Sequence, residues 1–554
     1  MSKRAELIKM EPPELPAPPV ELPADEVKHA KHHDVWDESS NIPKPVFPKI
    51  DLRKAVELVY RRVCKVPAQD ICNVNLYITP GTHSKLYLIE RMRSGVTTQQ
   101  HLMRVCLPVD PGHRTLSEVT ALNHVRKRTN NVLPITVPKV IDYENTVTDE
   151  NELGFEWVLM SYVPGEPAIR HWRKMTMEQK VSFVEQIAEF QSRYISDRFE
   201  GIGSLVPSMP TNDNPDPNPV AGHLVHPFFF SGSALDHDVN RGPFKSSHDF
   251  VMALLDLAGK MNYPLEDTED GEEIKKMLTP IQLIAREKRY KIASSLDSIL
   301  SRIFPDAMLE DPESTILSHN NMTLSNIRVD PDDSYKITGI VGWSLASTSP
   351  PWKTSNVPLF LTYIKAPREK RPEEHRYHDA QWMGEEDLLP LSPNGKEQQY
   401  WRDMMEYEVT QLLRVYCAKM KSLGKWNCNT ERHKPKKDVW AAVEACFMNP
   451  PGEDLVQGLE RVEKWVEDIT AWIVAHDNDI LMPTLEKQLN WAKPEDEEED
   501  DDEQTMVEDS EEISVQGEPE DKDFPGEYSP VSETPSAWGE TPLQDREYEA
   551  VFYS

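Results

Sequence analysis

The sequence predicts an α+β fold of two lobes, a small strand-rich one followed by a larger, mostly helical one, between disordered termini. Three observations carry this reading. Short apolar runs of strand character crowd the early part of the chain, in "KLYLIE", "HLMRVCL" and "FEWVLMSYV". Longer stretches with apolar residues at helical spacing dominate the later part. Both ends shift abruptly in composition, Pro-rich and charged at the start and acidic at the finish. The division is a head at 1–48, a first lobe at 49–163, a second lobe at 164–493 and a tail at 494–554.

Order is expected from about Asp51. There "DLRKAVELVYRRV" sets Ala55, Leu58, Val59 and Val63 on one helical face. Runs 85–90 and 101–107, separated by a loop containing "RMRSG", read as an antiparallel hairpin. A helix starts at Thr115 in "TLSEVTALNHVRKR", and residues 155–166 form a third strand ending in a turn at Pro164-Gly165. Thr176 and Gln179 make a capping-box pattern ahead of a helix with Val184, Ile187, Ala188, Gln191 and Ile195 on one side. Two later stripes, Trp401-Met405-Val409-Leu412-Tyr416-Met420 and Leu455-Leu459-Val462-Trp465-Val466-Ile469-Ile473, read as core-facing helices. No internal repeat is present.

The 554 residues hold 61 basic and 94 acidic side chains, a formal charge of -33. Such a balance disfavours nucleic acid and anionic membranes as partners. From Glu495 onward, 23 acidic against two basic residues place -21 of that charge in the tail and leave -12 elsewhere. The mean hydropathy of -0.59 and 46 prolines agree with long unfolded ends. Six cysteines without a C-x-x-C pair read as reduced thiols of an intracellular protein, cytoplasmic or nuclear. No apolar run approaches the roughly 20 residues that span a bilayer. Zinc-ligand spacing is absent: His32 and His33 lie in the head, and His113, His124 and His171 are not spaced as ligands.

Several blocks, taken together and in order, resemble the aminoglycoside phosphotransferase and choline kinase-like family, in a divergent filamentous-fungal form. They are "MRVCLPVDPGHRTLSEVTALNHVR", "VPKVIDYE", "LGFEWVLMSYVPGEP", "FEGIGSL", "RGPFKSSHDF" and "LSHNNMTLSNIRVDPDDSYKITGIVGWSLASTSPPW", within about 52–474. The resemblance implies a bilobal protein-kinase-like fold and an ATP site. It places Gly81 in the hairpin that covers the nucleotide, and Arg104 in the strand slot that holds the phosphates. Glu118 becomes the ion-pair partner of Arg104, while Met160 and Tyr162 fall in the segment that joins the lobes and meets the adenine. "RGPFKSSHDF" and "WKTSNVPLFL" fall near the substrate side, although their aromatic and Pro content suits core packing equally well.

The catalytic block departs from the family pattern twice. His319 and Asn326 keep their register, but Asn321 stands where the catalytic Asp belongs and Gly342 where the metal-binding Asp belongs. A carboxamide can hydrogen-bond a substrate hydroxyl but has no useful basicity near neutral pH. Glycine offers magnesium no side-chain ligand, which leaves Asn326 alone. The expectation is a pseudoenzyme that binds a protein partner or small molecule, with ATP retained and magnesium disfavoured. The alternative is an ATP-dependent small-molecule phosphotransferase with an altered metal site.

Overall fold

The structure, a computed structural model, describes residues 36–37, 44–45 and most of 51–475, with its longest interruption at 373–394. Gly81, Cys428, nearly all of the head and the whole acidic tail lie outside the described residues.

The first lobe is a five-stranded sheet between two helices. Its elements are α1 (Arg53–Val63), β1 (Ile71–Tyr77), β2 (Ser84–Arg93), β3 (Val96–Cys106), α2 (His113–Thr129), β4 (Val140–Glu144) and β5 (Trp157–Ser161). The strand order is β1-β2-β3-β5-β4, with every neighbouring pair antiparallel. Because side chains alternate along a strand, the two faces separate cleanly. Tyr87, Ile89, Met103, Val105, Trp157 and Leu159 pack against α1. Leu102, Val158 and Met160 point the other way and meet Val119 of α2.

Helix α1 packs the expected face on the sheet, with Ala55, Val59 and Val63 against its core, except at Leu58. Leu52, Val56, Val59 and Tyr60 are buried, whereas Leu58 is 54% exposed. Val56 and Tyr60 widen that face, and the Tyr60 hydroxyl bonds His101 Nδ1 at 3.0 Å. The expected hairpin is present in longer form, turning at Ser94 and Gly95, both at positive φ. Strands β1 and β4 escaped notice because both leave half or more of their side chains open to solvent.

The second lobe holds two cores. The nearer one joins α3 (Met177–Tyr194) to a short sheet: β6 (Glu166–Pro167), β11 (Ile327–Val329) and β12 (Ile337–Ile340), in the order β12-β11-β6. A second sheet runs β9-β8-β13-β10-β7, where β7 is Phe199–Glu200, β8 Gly203–Val206, β9 Val220–Gly222, β10 Ser314–Ser318 and β13 Ser347–Ser349. The farther core is helical, built from α4 (Ser247–Met261), α5 (Pro280–Ile303), α7 (Thr430–Ala445) and α8 (Leu455–Ala475). Helix α6 (Gly395–Ser422) returns to pack on α3.

Thr176 caps α3 with both bonds of the expected box, at 3.3 Å from Gln179 N and 2.8 Å to Gln179 Oε1. All seven residues of the α8 stripe are buried; in α6 Met404 takes the buried place expected for Met405. The five described cysteines are free thiols. Among the described residues no helix is long and apolar enough to cross a membrane.

One of the crossings between the lobes is made by backbone bonds. Thr136, in the connection between α2 and β4, bridges Gly339 of β12 in parallel. Its N–H and Oγ1 donate to Thr338 O at 2.9 and 2.8 Å, and its carbonyl accepts from Ile340 N–H at 3.0 Å. Only glycine fits at 339, since a Cβ there would lie 2.3 Å from Val163 Cγ1 and 2.8 Å from Thr136 O.

Candidate active site

The roof of the cleft comes from β3 and α2. Arg104 is on the face of β3 that turns toward α2, and Glu118 reaches it from the second turn of that helix. The two form an ion pair with both residues buried, at 6% and 4% exposure. A pair this dry costs far more to break than to keep, because removing one partner strands the other's charge. Burial raises the Glu118 carboxyl, against the pull of Arg104 and Arg114. Arg114 is buried beside them, lowered to about 10 by that burial and by Arg104. Glu156 completes the group: it accepts from Gly112 N–H at 2.6 Å, and burial pushes it up to about 7.

At the lobe junction Met160 packs into the small apolar cluster under the sheet, with Tyr162 at its edge. The backbone N–H groups of Ser161 and Tyr162 donate to Lys139 O at 2.8 Å and Gln100 O at 3.4 Å. The floor carries a residue that sequence reasoning missed. Arg328 of β11 is 8% exposed and sits with its Cζ 5.8 Å from the Tyr77 ring centroid of β1. Its Nη1 is buried without a hydrogen-bond partner. The available signal was a charged residue inside the otherwise apolar strand "IRV".

The catalytic-loop segment is held tightly. His319, 3% exposed, donates from Nε2 to Val341 O at 3.0 Å and accepts at Nδ1 from Asn321 N–H at 3.2 Å. That pairing assigns the proton to Nε2 and suits a neutral ring, which burial lowers to about 4. Asn320, at φ 58°, donates to Leu345 O and Ser347 Oγ at 2.9 and 2.8 Å. Asn326 Nδ2 donates to Asn321 O at 2.9 Å, and Asn326 O accepts from Val341 N–H at the same distance. The structure thus brings Asn321, Asn326 and Gly342 together.

Gly342 stands at φ 83°, and a Cβ built on it would lie 2.7–2.8 Å from the Asn326 carboxamide atoms. The amide therefore occupies the space a side chain at 342 would need. Asp330, Asp332 and Asp333 sit in the turn at the opposite end of the β11–β12 hairpin, where Asp332 N–H donates to Asp330 Oδ1. The segments expected near substrate are largely structural. Phe244, Phe250 and Trp352 belong to the helical core, with Trp352 Nε1 donating to Ser247 Oγ at 2.6 Å, and Phe360 and Leu361 pack in the nearer core.

The model of the phosphotransferase enzyme family matches residues 96–353, a span that includes β3, α2, the lobe junction and the whole catalytic-loop hairpin. Over that span, a little under half of the chain, the sequence is similar to the phosphotransferase enzyme family. A subtelomeric hrmA-associated cluster protein of Aspergillus fumigatus is 25% identical over 330 residues, covering 53% of this chain and 61% of that protein. The chain thus spans about three fifths of the length of that curated relative. Altered inheritance of mitochondria protein 9 of Zygosaccharomyces rouxii is 28% identical over 140 residues, 23% of this chain and 21% of its own. The solved gentamicin complex of APH(2")-IIa is 13% identical with a TM-score of 0.35, covering 75% of this chain and 97% of that one.

Phosphotransferase-family members commonly use a nucleotide with a divalent metal. The metal does not fit the donor set of this hairpin. A magnesium ion wants charged oxygens, and here positions 321 and 342 supply a neutral carboxamide and no side chain, with Asn326 folded onto the loop backbone.

Proposed function

We propose that this phosphotransferase-family protein is a pseudoenzyme, whose cleft serves binding and not phosphoryl transfer. The observation that carries the reading is the Asn326 carboxamide in the side-chain space of Gly342. With Asn321 in place of a base, it leaves a catalytic loop that is well formed and uncharged. Loss of the base alone would slow a loose, dissociative transfer; loss of the metal carboxylate removes the charge that offsets the phosphates. Arg104, paired with Glu118 in the slot that the resemblance assigns to phosphate binding, supports a nucleotide or other anion as ligand.

The competing reading, an ATP-dependent small-molecule phosphotransferase with an altered metal site, needs an acid beside Asn326. The three turn aspartates are at the wrong end of the hairpin to supply it. The test is a thermal-shift titration of the full chain with ATP, with and without magnesium or manganese, beside an assay of ADP release. The proposal expects a shift that ignores the metal, and no turnover. Magnesium-dependent turnover abolished by Asn326→Ala would overturn it.

A further inference from the structure

Outside the cleft, two segments remote in sequence bring three metal-ligating side chains to one point. Asp110 and His113 come from the turn that opens α2, and His223 from the residue after β9. One ligand atom from each lies within 4.8 Å of the others. His223 Nε2 is 3.0 Å from Asp110 Oδ1 and 3.1 Å from Oδ2. Asp110 is buried, at 3% exposure, while His223 is partly open and His113 exposed. The spacing that spoke against a histidine metal site overlooked His223, which only the fold carries to His113.

We propose that Asp110, His113 and His223 form a site for a zinc-type divalent cation. Two imidazoles and a carboxylate are donors that suit zinc, with water completing a tetrahedral shell. The carboxylate offsets part of the cation's charge. The two imidazoles now stack, with centroids 3.9 Å apart and planes inclined by 9°. One ion cannot lie in the plane of both rings while they stack, so loading requires one ring to turn. His113 is the ring with room to do so, being exposed at the first position of α2. Binding also takes the place of the His223–Asp110 hydrogen bond.

The consequence is mechanical. A bound ion ties the start of α2 to the β9 end of the second lobe's sheet. Glu118 lies on that same helix, so the ion would steady the helix that holds Arg104. The inference does not depend on whether the cleft transfers phosphate.

The test titrates the metal-stripped full chain with cobalt, as a spectroscopic stand-in for zinc, and then with zinc itself. One equivalent of cobalt is expected to give the strong visible bands of a low-coordinate site, zinc to displace it, and zinc to raise the melting temperature. His113→Ala, at an exposed position, is expected to weaken binding by at least about 10-fold and to remove the thermal shift. The head carries His29, His32 and His33, so a variant with all three changed to Ala serves as control and is expected to bind as the parent does. Absence of stoichiometric metal, equal affinity in His113→Ala, or loss of the bands in the head variant would each overturn the site.

Discussion

At Gly342 the question is what a restored carboxylate would meet. Its Cβ would press on the Asn326 amide, which must first leave its bond to Asn321 O. Gly342→Asp alone is therefore expected to cost about 1–3 kcal/mol of stability and to yield no magnesium-dependent turnover in an ADP-release assay. The double variant Gly342→Asp with Asn321→Asp is the one expected to show metal-dependent nucleotide binding, measured by calorimetry. Glu156 offers a different test. Burial holds its carboxyl at about 7, above an ordinary value near 4.5. The folded chain thus keeps a proton that the unfolded chain releases, and this contribution to stability, whole below about pH 4.5, is lost as pH rises through about 7, for up to about 3 kcal/mol. Glu156→Gln removes that dependence, so its melting temperature should gain on the parent's between about pH 5 and pH 8; parallel curves would exonerate Glu156. Asn321, Asn326 and Gly342 were legible because a motif's register exposes what is missing from it. Arg328 and the filled space at Gly342 were not, since both depend on what faces a residue across the chain.

The helix elements show what periodicity can and cannot specify. Helix α3 was readable to its first residue because a capping box is a local device, complete within four positions. Thr176→Ala is expected to lower stability by about 1 kcal/mol in denaturant unfolding. Helix α1 was readable as a helix and in most of its buried side, but Leu58, at the edge of the stripe, turns to solvent while Val56 and Tyr60 are buried. Helix α4 carried no narrow stripe, because Phe250, Val251, Ala253, Leu254, Leu255, Leu257 and Ala258 are all buried in the farther core. The α3–α6 contact adds polar pairs inside an apolar seam, where Tyr416 Oη donates to buried Gln191 Oε1 at 2.9 Å and Lys180 meets Glu408 at 2.6 Å. Tyr416→Phe should destabilise by about 0.5–1.5 kcal/mol in denaturant unfolding by removing its bond to Gln191 Oε1.

At the scale of the whole molecule, the order of a strand-rich lobe and then a helical one was legible in composition and period along the chain. The separation of the second lobe into two cores was not, because it arises from contacts between distant helices. The crossing at Thr136 and Gly339 belongs to that class, and it bears on motion. The stretch leaving α2 is laid on the catalytic hairpin as if it were one more strand, with Thr136 bonded on both its donor and acceptor sides. Swinging the first lobe away from the second would have to tear this ladder or drag β12 along with it. Opening is then a partial unfolding event, not a free rotation, and solvent should find the Thr136 and Ile340 amides only as often as it finds the nearer core. In hydrogen–deuterium exchange these two should retain protium on the core's timescale, long after the surface strands have traded theirs away.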